Sequence, residues 1–303
     1  MDHWSAPTVH QLRIFLVLAE ELHFGRAATR MFMSQPALSR QFTALEQRLG
    51  IQLITRTNRT VELTAAGKAI LAEAQSIVTA TQVLHRVATE YTRAAMGKVV
   101  VGTIGAEAAM EHTRLVLAEA IEQHPDLQVE VRLLSVTEHF QSLYTGEVDV
   151  VFCRPPAPEQ IQTHHLSTEP RIVCVPADDP LAGRHEVSLA ELRDRVVIDF
   201  PHECPPAWRN FWAVDPRPDG SPVKYGPVVR DVESLLATVA QDKVIAFLPS
   251  AARTFFPRPG IVFLDVTDIP PCTSALAWHV NGSQRPAVMA LRQAAEKVYP
   301  TGF

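Results

Sequence analysis

Apolar positions recur at helical spacing through the first third of the chain. Val9, Leu12, Phe15, Leu16 and Ala19 form one stripe, with Thr8 placed to cap its start. A short second helix follows in FGRAATRMF, with Ala27, Ala28, Met31 and Phe32 on or near its inner face. Its alanines let another helix approach closely. In SQPALSRQFTALEQRLG the residues Leu38, Phe42, Leu45 and Leu49 repeat at four, three and four, so they face the core. That leaves Gln35, Ser39, Arg40 and Thr43 turned outward. Ser34 is placed to cap this helix and Gly50 to end it. Pro36 falls in the first turn, where backbone N–H groups have no partner within the helix and proline loses nothing.

Two short strands around the loop TRTNRT are expected next, in IQLITRTNRTVEL, with Arg56 and Arg59 on the loop. A long helix is expected from about Thr64 to Thr92. Along it Ile70, Ile77, Leu84 and Tyr91 recur every seven residues, and Ala74, Thr81 and Ala88 lie four further on. Such a seam needs a partner helix. A second copy of the chain is the expected one, and packing against the chain's own C-terminal body is the alternative.

From Lys98 the pattern alternates between strands and helices. KVVVGTI, LQVEVRLL and EVDVVF read as strands; EAAMEHTRLVLAEAIEQHP and TEHFQSLYTG read as the helices between them. The order implies a mostly parallel sheet with helices on both faces. A similar set follows in RIVCV, RVVIDF, the helix around PPAWRNFW, the helix DVESLLATVA and the strand VIAFLP. SALAWHV and RPAVMALRQAAEKVY supply a last strand and a closing helix.

Composition adds little beyond a soluble globular class, with 47% apolar and 20% charged residues over 303 positions. Charge adds more. Residues 1–95 hold ten Lys/Arg against seven Asp/Glu, while the whole chain carries a net −5. Between Phe24 and Thr60 six arginines stand against one acid, Glu46. A basic end on an acidic body suggests contact with a polyanion. Chance clustering on a solvated face is the alternative.

The helix that starts at Ser34 sharpens that suggestion. A helix N-terminus carries partial positive charge and free N–H donors that suit phosphate oxygens. Gln and Ser can read base edges, and Arg40 can pair with guanine or with a phosphate. Two short helices joined by a tight turn, the second presenting its N-terminus, have helix-turn-helix geometry. The two strands after Gly50 then form a wing, where arginine suits the backbone or the minor groove.

Taken together, these residues resemble the LysR-type transcriptional regulators, through FGRAATRMFMSQPALSRQFTALEQRLGIQLITRTNRTVELTAAGKAIL and above all SQPALSRQ followed by LE and LG. Ile54 departs from the family's usual phenylalanine. The resemblance implies a winged helix-turn-helix at 1–65, a linker and dimerisation helix at 64–93, and a two-lobed α/β effector domain, periplasmic-binding-protein-like (type 2), at 97–303. Lobe I would comprise 97–165 and 269–303, and lobe II 166–268. It implies double-stranded promoter or operator DNA as partner, contacted through Gln35, Pro36, Ser39 and Arg40, with Arg30, Arg56 and Arg59 on phosphate or in the minor groove. It also implies a homodimer or homotetramer, a small-molecule effector, contact with RNA polymerase, and no cofactor. Carried onto the inter-lobe cleft, family positions fall on Thr103, Ile104, Gly105, Ala106, Ser135, Thr137, Phe152, Arg154, Phe200, Pro201, His202 and Val229. Arg154 is the expected partner for an anionic effector, since guanidinium grips carboxylate in a bidentate way. Ile104, Phe152 and Phe200 would favour an aromatic or apolar body. The family's G-x-G turn before the strand ending in LP is absent from QDKVIAFLP.

Enzyme chemistry finds no support. His164, His165 and His185 lack metal-ligand spacing, and Cys153 and Cys174 sit inside apolar strand patterns. There is no G-x-S-x-G elbow, P-loop or complete G-x-G-x-x-G. Neither a catalytic nor a metal site is expected. The four cysteines form no disulfide framework, no stretch is apolar enough to span a bilayer, and the first ten residues have no leader pattern, so a cytoplasmic location is expected. A solute-binding protein with an N-terminal extension, and a regulator whose cleft takes no small molecule, are the competing readings.

Overall fold

The helical stripes at the start of the chain become α1 (Val9–Glu21), α2 (Phe24–Arg30) and α3 (Gln35–Leu49). The computed structural model describes residues 6–56, 61–95 and 97–300, and the chain divides into two compact units, Met1–Arg86 and Val87–Phe303. In the first unit Thr8 and Gln11 form a reciprocal capping box at α1. Phe15, Leu38, Phe42 and Leu45 are fully buried, and Phe24 meets Phe42 edge-on at 5.9 Å. Ala27 and Ala28 are buried between the helices. Phe32 is not on an inner face: it is 98% exposed, in the turn between α2 and α3, with φ of 53°. That turn is closed by the N–H of Met33 donating to the carbonyl of Ala28, which rotates Phe32 outward.

The wing strands β1 (Ile54–Arg56) and β2 (Val61–Leu63) pair antiparallel, Ile54 opposite Leu63 and Arg56 opposite Val61. Helix α4 (Ala65–Ala95) then starts hard against β1, for a Cβ at Gly67 would lie 2.2 Å from the carbonyl oxygen of Leu53. Ala74 and Val78 are buried in the winged-helix core, with Ile70 packed against it. The seven-residue seam expected along α4 therefore splits. Ile70, Ala74 and Val78, four apart, face the helix's own unit, whereas Ile77 (46% exposed) and Leu84 (69%) face outward, with Val83 and Val87 beside them. Ile70 and Ala74 are thus corrected from dimer contacts to intramolecular core; the side chain of Tyr91 lies outside the described residues.

In the second unit a five-stranded sheet runs in the order β4 (Gln128–Leu134), β3 (Lys98–Ile104), β5 (Val150–Cys153), β13 (Cys272–His279) and β6 (Ile161–Glu169). The first three are mutually parallel, and β13 is antiparallel to both its neighbours. Helices α5 (Glu111–Gln123) and α10 (Pro286–Val298) enclose one core with this sheet; α6 (Glu138–Thr145) packs on the other face. The second lobe holds β7 (Arg171–Pro176) between β11 (Ala246–Pro249) and β12 (Ile261–Val266), with β8 (Glu186–Val187) beside β12. Strands β9 (Val196–Asp199) and β10 (Lys224–Val228) pair parallel and join the lobe through a bridge from Val197 to Ile245. Helices α7 (Pro206–Ala213), α8 (Val232–Asp242) and α9 (Ala252–Phe255) complete it.

The lobe boundary shifts from the expected 165/166. Strand β6 pairs with β13 through Glu169, opposite Cys272, so the crossover lies at Pro170. Where the family's glycine turn is missing, Lys243 at the end of α8 holds the left-handed conformation itself, with φ of 54°. Among the described residues no helix is long and apolar enough to cross a membrane, and no cluster of His, Cys, Asp or Glu is arranged to hold a metal ion.

Candidate nucleic-acid interface and effector cleft

The N-terminus of α3 is open. Ser34 occupies the cap position in extended conformation, but its side chain makes no capping hydrogen bond, contrary to the expected cap. Gln35 and Pro36 are exposed, Ser39 is half-buried, and Arg40 is exposed and makes no ion pair among the described residues. The first turn holds no acid. Glu46, the one acid of the basic stretch, turns inward: its Oε1 accepts from the N–H groups of Leu53 (2.8 Å) and Ile54 (3.3 Å) and ties α3 to the wing. The outward face of the helix is therefore polar, cationic and free of carboxylate.

Arg30 is placed differently from Arg40. Its guanidinium pairs with Glu20 at 2.6 Å and Glu21 at 3.3 Å, so its charge is spent within the protein. Arg59 and the side chain of Arg56 lie outside the described residues.

The second site is a cleft between the two lobes of the effector unit, whose empty space, open solvent at its mouth included, is about 760 Å³. Ile104, Gly105 and Ala106 line it from the loop after β3, Arg154 from the end of β5, and Phe200 from the end of β9. Gly105 has φ of 54°, and a Cβ there would sit 3.2 Å from Val232 of the facing lobe. Trp208, Trp212, Phe255 and Phe256 supply further aromatic wall, Leu235 and Val232 aliphatic wall, and Glu107 and Asp231 the acids. Bonds that stitch the lobes here include the indole N–H of Trp208 donating to the Arg154 carbonyl (3.0 Å) and the Val136 N–H donating to the Arg230 carbonyl (3.2 Å).

Arg154 is not a free anion receptor. One of its terminal nitrogens lies 2.7 Å from Glu107 and 2.8 Å from Glu169, and the side chain is 11% exposed. Burial alone would lower its pKa, but the two carboxylates outweigh that and raise it. Glu107 also meets His112 at 3.0 Å and Ser274 at 3.4 Å, and Glu169 accepts from Ser250 (2.9 Å) and the Ala251 N–H (2.6 Å). The arginine is the centre of a closed network at the crossover between lobes.

Other expected cleft residues do not line the cavity. Phe152 is fully buried on the opposite face of the first-lobe sheet, in the core shared with α5 and α10. The period of two puts Val151 and Cys153 of β5 toward the cleft side and Phe152 away from it. Thr103 is buried in the sheet, its hydroxyl donating to the Arg132 carbonyl. Ser135 and Thr137 bond each other at 3.0 Å. Pro201 and Val229 are buried behind the wall, and His202 is exposed beside Glu203. Glu107, Met110, Trp208, Trp212 and Asp231 were missed; the i, i+4 spacing of the two tryptophans on α7 was the readable signal for them.

All four cysteines are free and buried. Burial raises each thiol, to about 12 at Cys174 and Cys204 and about 11 at Cys272, so none is a ready thiolate.

Residues 9–68 match the bacterial regulatory helix-turn-helix protein family of lysR type, and residues 95–299 match the LysR substrate binding domain. The chain belongs to the LysR family of transcriptional regulators. As such it is a DNA-binding regulator with a substrate-binding domain. It is 36% identical over 196 residues to the HTH-type transcriptional regulator YnfL of Escherichia coli (strain K12), covering 64% of this chain and 66% of that protein. It is 28% identical over 251 residues to the HTH-type transcriptional regulator AlsR of Bacillus subtilis (strain 168), covering 82% of each. The fold is also that of full-length CbnR solved in complex with its target DNA, with a TM-score of 0.53 at 22% identity over 96% of this chain and 99% of that one.

Proposed function

We propose that the chain binds operator DNA sequence-specifically as a homodimer, with a small-molecule effector held between the lobes of each effector domain. The observation that carries this is the open first turn of α3: an uncapped helix N-terminus with Gln35, Pro36 and Arg40 exposed and no acid to repel phosphate. Gln35, Ser39 and Arg40 address base edges, and Arg56 and Arg59 of the wing address the backbone or the minor groove. Arg30 contributes less, because DNA would have to displace Glu20 and Glu21.

The exposed apolar stripe of α4, Ile77 and Leu84 with Thr81 and Ala88 along the same helix, supports pairing of two copies. Two winged helices then fall in successive major grooves of an imperfect palindrome. The effector acts by binding one arrangement of the lobes better than another, which shifts the balance between dimer and homotetramer geometries and so the bend in the DNA and access for RNA polymerase. The protein works in the cytoplasm, where its promoter DNA is.

The test is nuclease footprinting of the region upstream of its own gene with the native protein and Arg40→Ala. A base-reading Arg40 predicts a loss of about 1–3 kcal/mol on the protected site and little change on random DNA. Unchanged protection by Arg40→Ala contradicts the assignment of α3 as the reading helix.

A further inference from the structure

The donors that would hold an anion in the cleft are already taken by carboxylates of the protein itself. Arg154 lies between Glu107 and Glu169, at 2.7 and 2.8 Å. The N–H of Ser135, at the turn into α6, donates to the carboxylate of Glu138 at 2.8 Å. The start of α8 is capped by Asp231, whose Oδ1 accepts from the Ser234 N–H at 2.7 Å. Two of these places, Arg154 and the start of α8, line the cavity, and each has a protein carboxylate where an anion would sit; the Ser135 turn lies outside the lining.

The charged groups lining the cavity are Glu107, Asp231 and Arg154, with Glu169 directly behind the arginine, so the local balance is negative. The remaining wall is apolar and largely aromatic, with Trp208 and Trp212 each 5% exposed and Phe200 edge-on to Trp208 at 5.0 Å. A carboxylate entering this space would lose its hydration, meet no uncommitted cation, and sit near Glu107 and Asp231. An uncharged molecule gives up far less on desolvation and gains the aromatic contacts.

We infer that the effector of this cleft is an uncharged hydrophobic molecule bearing an aromatic ring, and that carboxylates are excluded by the protein's own carboxylates at Arg154 and the start of α8. The inference rests on the reading that the cleft takes an effector. It replaces the anionic effector expected from Arg154 when only the sequence is considered.

The experiment uses the full chain and three probes that share one body: 3-phenylpropan-1-ol, 3-phenylpropylamine and 3-phenylpropanoate. Binding is read by tryptophan fluorescence, to which Trp208 and Trp212 of the wall contribute among the chain's four tryptophans, and by thermal shift. The alcohol is expected to bind at least about tenfold more tightly than the carboxylate, with the amine between them. Glu107→Gln keeps the size and hydrogen-bonding reach of Glu107 while uncovering part of the Arg154 charge. It is expected to move the preference toward the carboxylate by about tenfold. Circular dichroism establishes that the variant is folded, and Asp231→Asn, which still caps α8, is expected to move the preference the same way. Carboxylate binding equal to or tighter than alcohol binding overturns the inference, and so does failure of all three probes to bind. Operator binding measured without probe separates the two readings: site-selective DNA binding with a carboxylate preference overturns the charge class alone, and its loss overturns the regulator reading.

Discussion

At the scale of single residues, the least comfortable positions make the clearest predictions. Phe32 holds φ of 53° with its ring 98% exposed, so it has the steric cost of a left-handed conformation without any burial to offset it. Phe32→Asn is expected to stabilise the DNA-binding unit by about 1 kcal/mol, read from the denaturant midpoint. His139 is the opposite case. It is 1% exposed, its ring set at a tilt against Phe140 (4.0 Å) and Trp208 (5.2 Å). Burial lowers its pKa from 6.5 to about 4, with the Val136 backbone offsetting part of the shift. The folded state therefore binds this proton less readily than the unfolded chain. Its contribution is complete above pH 6.5 and is lost as pH falls through that value toward about 4, by about 3 kcal/mol in all. His139→Phe should flatten the stability profile across that window; an unchanged slope would place the acid sensitivity elsewhere. The sequence pattern put Phe32 near an inner face, whereas the turn closed by Met33 and Ala28 rotates it out; His139 did not stand out, because its burial is set by neighbours such as Trp208, distant along the chain. The same is true of Arg154. Its position at the end of β5 was legible, but Glu107 and Glu169, which decide its chemistry, approach it only once the strands have crossed.

At the scale of elements, short-range signals fix the local structure of the first unit. The four-three-four spacing in α3, Pro36 in its first turn and Gly50 at its end (φ of 69°) are short-range signals, and the helix spans Gln35–Leu49. Strand β6 is the counter-example. Its sequence IQTHHLSTE is polar and histidine-rich because it is an edge strand with alternate residues exposed, so no apolar run announces it. Strand β12 carries a run, IVFLDV, but follows a proline-rich segment and gained its identity only by pairing with β7. In α4 the apolar spacing spreads over two faces rather than one: Ala74 and Val78 pack inward, and Ile77 and Leu84 point out. The junction of α4 with the wing is tight enough to test. Gly67→Ala would drive a Cβ into the Leu53 backbone, which cannot rotate away as a side chain can. A loss of about 1–3 kcal/mol is expected in thermal unfolding, with operator binding weakened as β1 is pushed from α4. Wild-type stability in that variant would mean the two elements are not held at this distance.

At the scale of the whole molecule, one unit carries a polar, cationic helix start and the other an apolar, negatively balanced cleft. The outward stripe on α4 is the proposed means by which two copies combine. Leu84→Asp places a charge on the most exposed apolar position of that stripe. Sedimentation should show it shifted to monomer, and its operator affinity should fall because one half-site alone is then bound at a time. A dimer of unchanged stability would move the interface off α4. The central claim, that this chain reads a specific DNA sequence, is tested most directly by fluorescence anisotropy of the purified protein on duplex from upstream of its own gene, beside a scrambled duplex, each at two salt concentrations. Tight binding to the first duplex, weak binding to the second, and a steep loss with salt are the expected results. No binding to either duplex at low salt would contradict the account.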